Sequence, residues 1–186
     1  PRILLISDSY SHPLNELSVY FESIEENISI IYCENCNIID TLNILTENDI
    51  IFWEKDNEFT NAEKNELIEF KYLGGSLVLF GKSIFEDPYF YIEEFGGTYL
   101  RNVNAEYLLI EDDVIYFDNG FPKAELQLIS NFGHVLYRYD DYSISSIAKI
   151  NDSNVFILNG FWLEEIIEID RQLFINYMLD IINSKL

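Results

Sequence analysis

Four apolar runs constrain this chain more than any other feature: RILLIS (2–7), DIIFWEK (49–55), SLVLFG (76–81) and NVFILNGF (154–161). Each is nearly continuous where a half-exposed strand would alternate with polar residues, so each predicts a strand covered on both faces. The first three are separated by segments with helical spacing. After Pro13, which suits the first turn of a helix because its missing N–H would be unsatisfied there anyway, Leu14, Leu17, Phe21 and Ile24 recur on one face. Thr60-Asn61-Ala62-Glu63 has the form of a capping box, and the helix it opens runs to Gly74-Gly75, a natural C-terminal stop. ISIIYC (28–33) predicts a further strand and NIIDTLNIL (37–45) a short helix. A closing helix is predicted from about Asp170, with Leu173, Phe174, Tyr177, Met178, Ile181 and Ile182 as an apolar stripe toward the core.

Strand–helix–strand alternation with right-handed crossovers predicts a doubly wound, mostly parallel sheet of flavodoxin type, with helices on both faces. Between the fourth strand and the last one the alternation lapses. EYLLIEDDVIYFDNGF (106–121) reads as two strands about an Asp-Asp turn and ends in Asn119-Gly120, a hairpin-type turn signal; it is expected to be a small β excursion. SISSIAKI (143–150) and NVFILNGF, on either side of Asn151-Asp152-Ser153, predict a hairpin returning to the main sheet. The 186 residues suit one domain, and the start at PRILLIS, without Met, predicts a domain excised from a longer protein.

Charge narrows the partners. With 11 Lys plus Arg against 33 Asp plus Glu the net charge is −22, and the acids are spread along the chain, so phosphate backbones and anionic headgroups are repelled. Nucleic acid and membrane surfaces are therefore poor partners, and no apolar run reaches the roughly 18 residues of a membrane span. Cys33 and Cys36 form a lone pair with Glu-Asn between them; a zinc site needs further soft ligands, and His12 and His134 are far apart in sequence, so the pair reads as structural, either free or locally bridged, with redox or metal chemistry as the alternative. The Asp-rich turns at Asp112-Asp113, Asp140-Asp141 and Asn151-Asp152 lack the spacing of a dedicated calcium loop. No metal and no cofactor is expected.

In a doubly wound sheet the ligand rim is formed by loops at the carboxyl ends of the strands. Here these are Ser7-Asp8-Ser9-Tyr10-Ser11-His12, Glu54-Lys55-Asp56, Gly81-Lys82-Ser83 and Gly160-Phe161-Trp162-Leu163-Glu164, and they are expected to converge. The candidate ligand-binding rim is Asp8, Tyr10, His12, Glu54, Lys82, Ser83, Trp162 and Glu164.

GGSLVLFGKSIFED, then YIEEFGGTYL, VFILNGFWLEEI and DRQLFINYMLDII, resemble the class I glutamine amidotransferase-like superfamily across nearly the whole chain. More closely, they resemble its non-catalytic members, found as accessory domains of bacterial surface and secreted hydrolases. In active members of that superfamily a nucleophilic Cys follows the fourth strand, and a late Phe-His-Pro-Glu supplies the other two members of the triad. The resemblance puts Ser83 at the Cys position, Phe85 at that of a following Gly, and Phe161-Trp162-Leu163-Glu164 at the late motif, so that Trp162 replaces the His and Glu164 alone is retained. A serine hydroxyl without a base to take its proton does not attack an amide, and an indole offers only an N–H donor. The reading is a catalytically inactive domain serving as an interaction or structural module of a larger protein, with a protein partner or other domains of the same chain and a place at the bacterial cell surface implied by the resemblance. Two alternatives stand beside it. One is a hydrolase using Ser83 with His12, oriented by Asp8 or Glu54; the other is a sugar- or small-ligand-binding module with Tyr10, Trp53 and Trp162 at the rim.

Overall fold

The computed structural model describes residues 2–7, 12–24, 29–34, 50–55, 57–81, 88–118, 122–129 and 133–184. Five strands run parallel in the order β2 (Ser29–Glu34), β1 (Arg2–Ser7), β3 (Ile50–Glu54), β4 (Ser76–Phe80), β11 (Val155–Asn159). The apolar runs at 2–7, 49–55, 76–81 and 154–161 thus lie side by side as predicted, and β3, β4 and β11 are buried at every position. Alternate residues face opposite ways along a strand. Ile3 and Leu5 accordingly enter one core cluster with α1 (His12–Ile24) and α4 (Glu168–Ser184), while Leu4 and Ile6 enter another with α2 (Asn61–Tyr72) and α3 (Pro88–Phe95).

Local signals explain the helix limits. Glu63 N donates to Thr60 Oγ1 at 3.2 Å and Thr60 N to Glu63 Oε2 at 2.6 Å, completing the capping box at the start of α2. At its end Gly75 N bonds to Phe70 O and Gly74 N to Lys71 O, with Gly74 at φ 91°, a Schellman closure that the absent Cβ permits. α4 begins two residues earlier than predicted, and its stripe is narrower: Phe174, Met178, Ile181 and Ile182 are buried, but Leu173 is 39% exposed.

The predicted small excursion is a correction. Residues 97–150 form six strands: β5 (Gly97–Val103), β6 (Tyr107–Ile110), β7 (Asp113–Tyr116), β8 (Lys123–Leu128), β9 (His134–Tyr139) and β10 (Ile144–Ile150). Four of them extend the main sheet antiparallel beyond β11, in the order β10-β9-β6-β7, giving nine strands. Among the described residues only β5 and β8 pair apart from it. The Asp-Asp hairpin is present as β6–β7, with Ile110 opposite Asp113, and β10–β11 form the predicted returning hairpin. β5, β8 and β9 are poorly marked in the sequence because their exposed-to-buried patterns are irregular: β8, KAELQL, carries a fully buried lysine. The helix predicted at 37–45 and the Asn119-Gly120 turn lie outside the described residues.

Candidate functional site at the carboxyl rim of the sheet

The carboxyl ends of β3, β4 and β11 lie next to one another, and the chain after β11 is tied across them. Lys55 N donates to Phe80 O and Gly81 N to Asn159 O, so the three strand ends stay in register past the last ladder residues. Asn159 itself is sealed: its Nδ2 donates to Leu79 O at 3.2 Å and its Oδ1 accepts from Ser146 Oγ at 2.7 Å. Leu163 N then donates to Glu54 Oε1 at 2.8 Å. Because β4 lies between β3 and β11, this bond carries the segment Gly160–Leu163 across the end of β4, the strand leading to Gly81. Glu54 is 9% exposed, so its carboxylate accepts this backbone bond in a poorly hydrated place.

The opposite side of the same segment is closed by β8. Ala124 N donates to Gly160 O at 2.6 Å, and Gly160 N to Ser145 O. Tyr139 Oη reaches both Ala124 O at 3.0 Å and Gly160 O at 3.2 Å from a fully buried ring. Burial, and next the nearby Glu165 charge, hold its phenol well above the ordinary tyrosine range, so it stays a donor. A Cβ on Gly160 would lie 2.1 Å from Ala124 O, which makes glycine the residue that lets the two backbones meet.

A buried ion pair fastens this junction. Lys123 Nζ lies 3.6 Å from Glu165 Oε1, with side-chain exposures of 1% and 2%, and sits 4.6 Å from the centre of the Phe117 ring. The second oxygen of Glu165 accepts from Trp162 N at 2.9 Å. Glu165 therefore joins β8 to the short 3₁₀ turn Leu163–Glu165. Rings of Phe117, Tyr139 and Phe161 pack beside it, Phe117 to Phe161 at 5.3 Å.

Of the predicted rim residues, the structure brings together Glu54 and the backbone of Trp162–Leu163. Glu164 has an exposed side chain and its carbonyl accepts from Arg171 Nη2, while the neighbouring Glu165 is the acid turned inward. Trp53, which the sugar-binding alternative puts at the rim, is fully buried, with Phe59 at 5.0 Å and Lys55 Nζ 4.9 Å over its ring. Trp162 is half-buried and His134 is exposed at the start of β9. Asp8, Tyr10, Lys82, Ser83, Phe85 and Cys36 lie outside the described residues, as do the side chains of His12 and Cys33. Lys123 and Glu165 were missed because a charged residue in the sequence carries no mark of burial; the signal available was the position of Lys123 just ahead of Ala124-Glu125-Leu126 in a strand-like run.

A separate cavity of about 290 Å³ opens between the first turns of α1 and α4, lined by Pro13, Glu16, Leu17, Val19, Glu168, Arg171 and Gln172. Its one guanidinium is engaged: Arg171 donates to Ile166 O, Glu164 O and the Glu16 carboxylate. Among the described residues no group of His, Cys, Asp and Glu is arranged to hold a metal ion.

No protein-family profile matches the chain, and no curated protein does. Solved structures do. A GH42 β-galactosidase from G. stearothermophilus, Gan42B, superposes with a TM-score of 0.66 at 10% identity, over 97% of this chain and 30% of that one. A ThuA-like protein from Bacteroides uniformis gives 0.65 at 13% identity, over 95% of this chain and 89% of that one. A GMP synthase subunit from Thermoplasma acidophilum gives 0.56 at 10% identity, over 95% and 92%. The chain spans under a third of the length of the galactosidase it matches. At such identities the likeness is one of fold alone.

Proposed function

We propose that this chain is a catalytically silent, doubly wound amidotransferase-like domain, acting as a structural or interaction module of a longer bacterial protein exposed at the cell surface. The observation that carries the reading is the Leu163 N–Glu54 bond, which holds the segment Gly160–Leu163 across the carboxyl end of β4. A nucleophile after β4 needs a base beside it and open space above it for an acyl group. The segment Gly160–Leu163 is held beside the end of β4 by Glu54, β8 stands against its other side, and the residue at the resembled histidine position is Trp162. Support for a module within a longer protein comes from the match that covers 97% of this chain but 30% of a β-galactosidase.

The sugar-binding alternative loses one of its three aromatics, since Trp53 is buried. In the hydrolase alternative one of the two acids, Glu54, already accepts a bond from backbone, and the other, Asp8, lies outside the described residues. Ammonia release from glutamine tests the proposal: purified protein is expected to release none above buffer. Release that disappears in Ser83→Ala would overturn it.

A further inference from the structure

The β6–β7 hairpin ends the nine-stranded sheet, and its two faces have different fates. Leu108, Ile110, Ile115 and Phe117 are buried in the cluster shared with α1 and α4. In an antiparallel pair, residues directly opposite share a face and faces alternate along each strand. Tyr107 opposite Tyr116 and Leu109 opposite Val114 therefore make up the other face. That face of the hairpin gives no residue to the second core cluster, in which α2 and α3 pack over β1, β3, β4, β8, β10 and β11. Tyr116 is 51% and Val114 37% exposed, and the Tyr107 and Tyr116 rings stand 5.8 Å apart, edge to face. The surface continues to Arg138, paired with Leu109, and to Tyr142, 70% exposed, whose carbonyl accepts from Arg138 Nη1.

A partner cannot simply lengthen the sheet at the Tyr116 end of β7. Tyr116 N donates to Asp170 Oδ2 at 2.9 Å, Ile167 N donates to Tyr116 O at 3.0 Å, and Phe117 bridges to Ile166. That stretch of edge is satisfied from within the chain, as sheet proteins commonly arrange. What remains on offer is the side-chain face.

Charge then selects the occupant. The exposed hairpin turn is Glu111-Asp112, the far end of the hairpin carries exposed Glu106 and Asp118, and Asp141 stands exposed beside Tyr142. A second copy docking through this face would set the patch against itself, acids facing acids, on a chain of net charge −22. We infer that the Tyr107–Leu109–Val114–Tyr116 face is the docking surface for a different protein surface, one with an apolar centre edged by Lys and Arg. Its cations meet the acidic ends of the hairpin and the faces of the two tyrosine rings. This inference does not depend on whether the carboxyl rim is catalytically silent.

The test is a titration of the isotope-labelled protein, followed by backbone amide shifts, with a short amphipathic leucine–lysine peptide. A glycine–lysine peptide of equal charge and a leucine–glutamate peptide are the controls. Shifts confined to β6, β7 and β9 with the leucine–lysine peptide alone are expected, with binding about tenfold weaker in Tyr116→Ser and in Val114→Ser, both at exposed positions. The inference is overturned if both lysine peptides shift amides all over the acidic surface, if the leucine–glutamate peptide binds the same face, or if neither serine variant weakens binding. Self-association of the protein through this face, seen by sedimentation, would also overturn it.

Discussion

Glu165→Ala is expected to lower the folding free energy by about 3–5 kcal/mol, the cost of breaking a buried ion pair from one side. The carboxylate does two things at once, 3.6 Å from Lys123 Nζ and 2.9 Å from Trp162 N. Truncation leaves the Lys123 ammonium without this carboxylate at 1% side-chain exposure, and removes the acceptor that shapes the 3₁₀ turn. Glu165→Gln retains an acceptor for Trp162 N and should cost less. Adding Lys123→Met to Glu165→Gln removes both charges together, and the double variant is expected to be more stable than Glu165→Ala, because replacing a buried pair by neutral groups of similar volume is often tolerated. Urea denaturation of the variants measures this. A loss below about 1 kcal/mol for Glu165→Ala, the range of an exposed pair, would contradict the assignment of the pair as the fastening between β8 and the rim.

Gly160→Ala is the second large effect. The new methyl would lie 2.1 Å from Ala124 O and 3.1 Å from Ala124 C, both backbone atoms, so no side-chain rotation relieves the clash. Gly160 is not among the glycines with positive φ, so the cost arises from contact and not from the dihedral angle. About 3 kcal/mol is expected, at the upper end for overpacking, or a fall in Tm of roughly 6–12 °C for a domain of this size. Gly81→Ala is the internal comparison: its Cβ would be 2.9 Å from Lys55 O, and the loss should be smaller. Equal Tm values for Gly160→Ala and the parent protein would mean that β8 does not press on β11 as described.

The parallel half of the fold was legible because buried parallel strands must be apolar at every position, and RILLIS, IIFWE, SLVLF and VFILN nearly are. The α2 limits were legible for the same kind of reason, since Thr60, Glu63 and Gly74 each satisfy backbone groups through local geometry. The antiparallel half was harder. β9, HVLYRY, buries Tyr137 and Tyr139 while Val135 and Leu136 are both half-exposed, and register shifts break its pairing to β10. β8 was obscured by Lys123, whose burial depends on a distant acid, Glu165, meeting it in space. The rim was legible in outline, through Glu54 and Trp162, yet not in detail. Glu164 and Glu165 are chemically alike in a sequence, and only the turn of the 3₁₀ segment decides which carboxylate faces inward.

The central claim is that the chain's own backbone crosses the carboxyl end of β4 and is held there by Glu54 and β8. Amide hydrogen exchange at Leu163 and Ala124, the donors to Glu54 and to Gly160, tests it most directly. If the closure is integral to the fold, both amides exchange only through global unfolding, at the rate of Ile157 in the middle of β11. Exchange at Leu163 and Ala124 orders of magnitude faster than at Ile157, under conditions where the protein stays folded, would show a rim that opens by itself and would contradict the account.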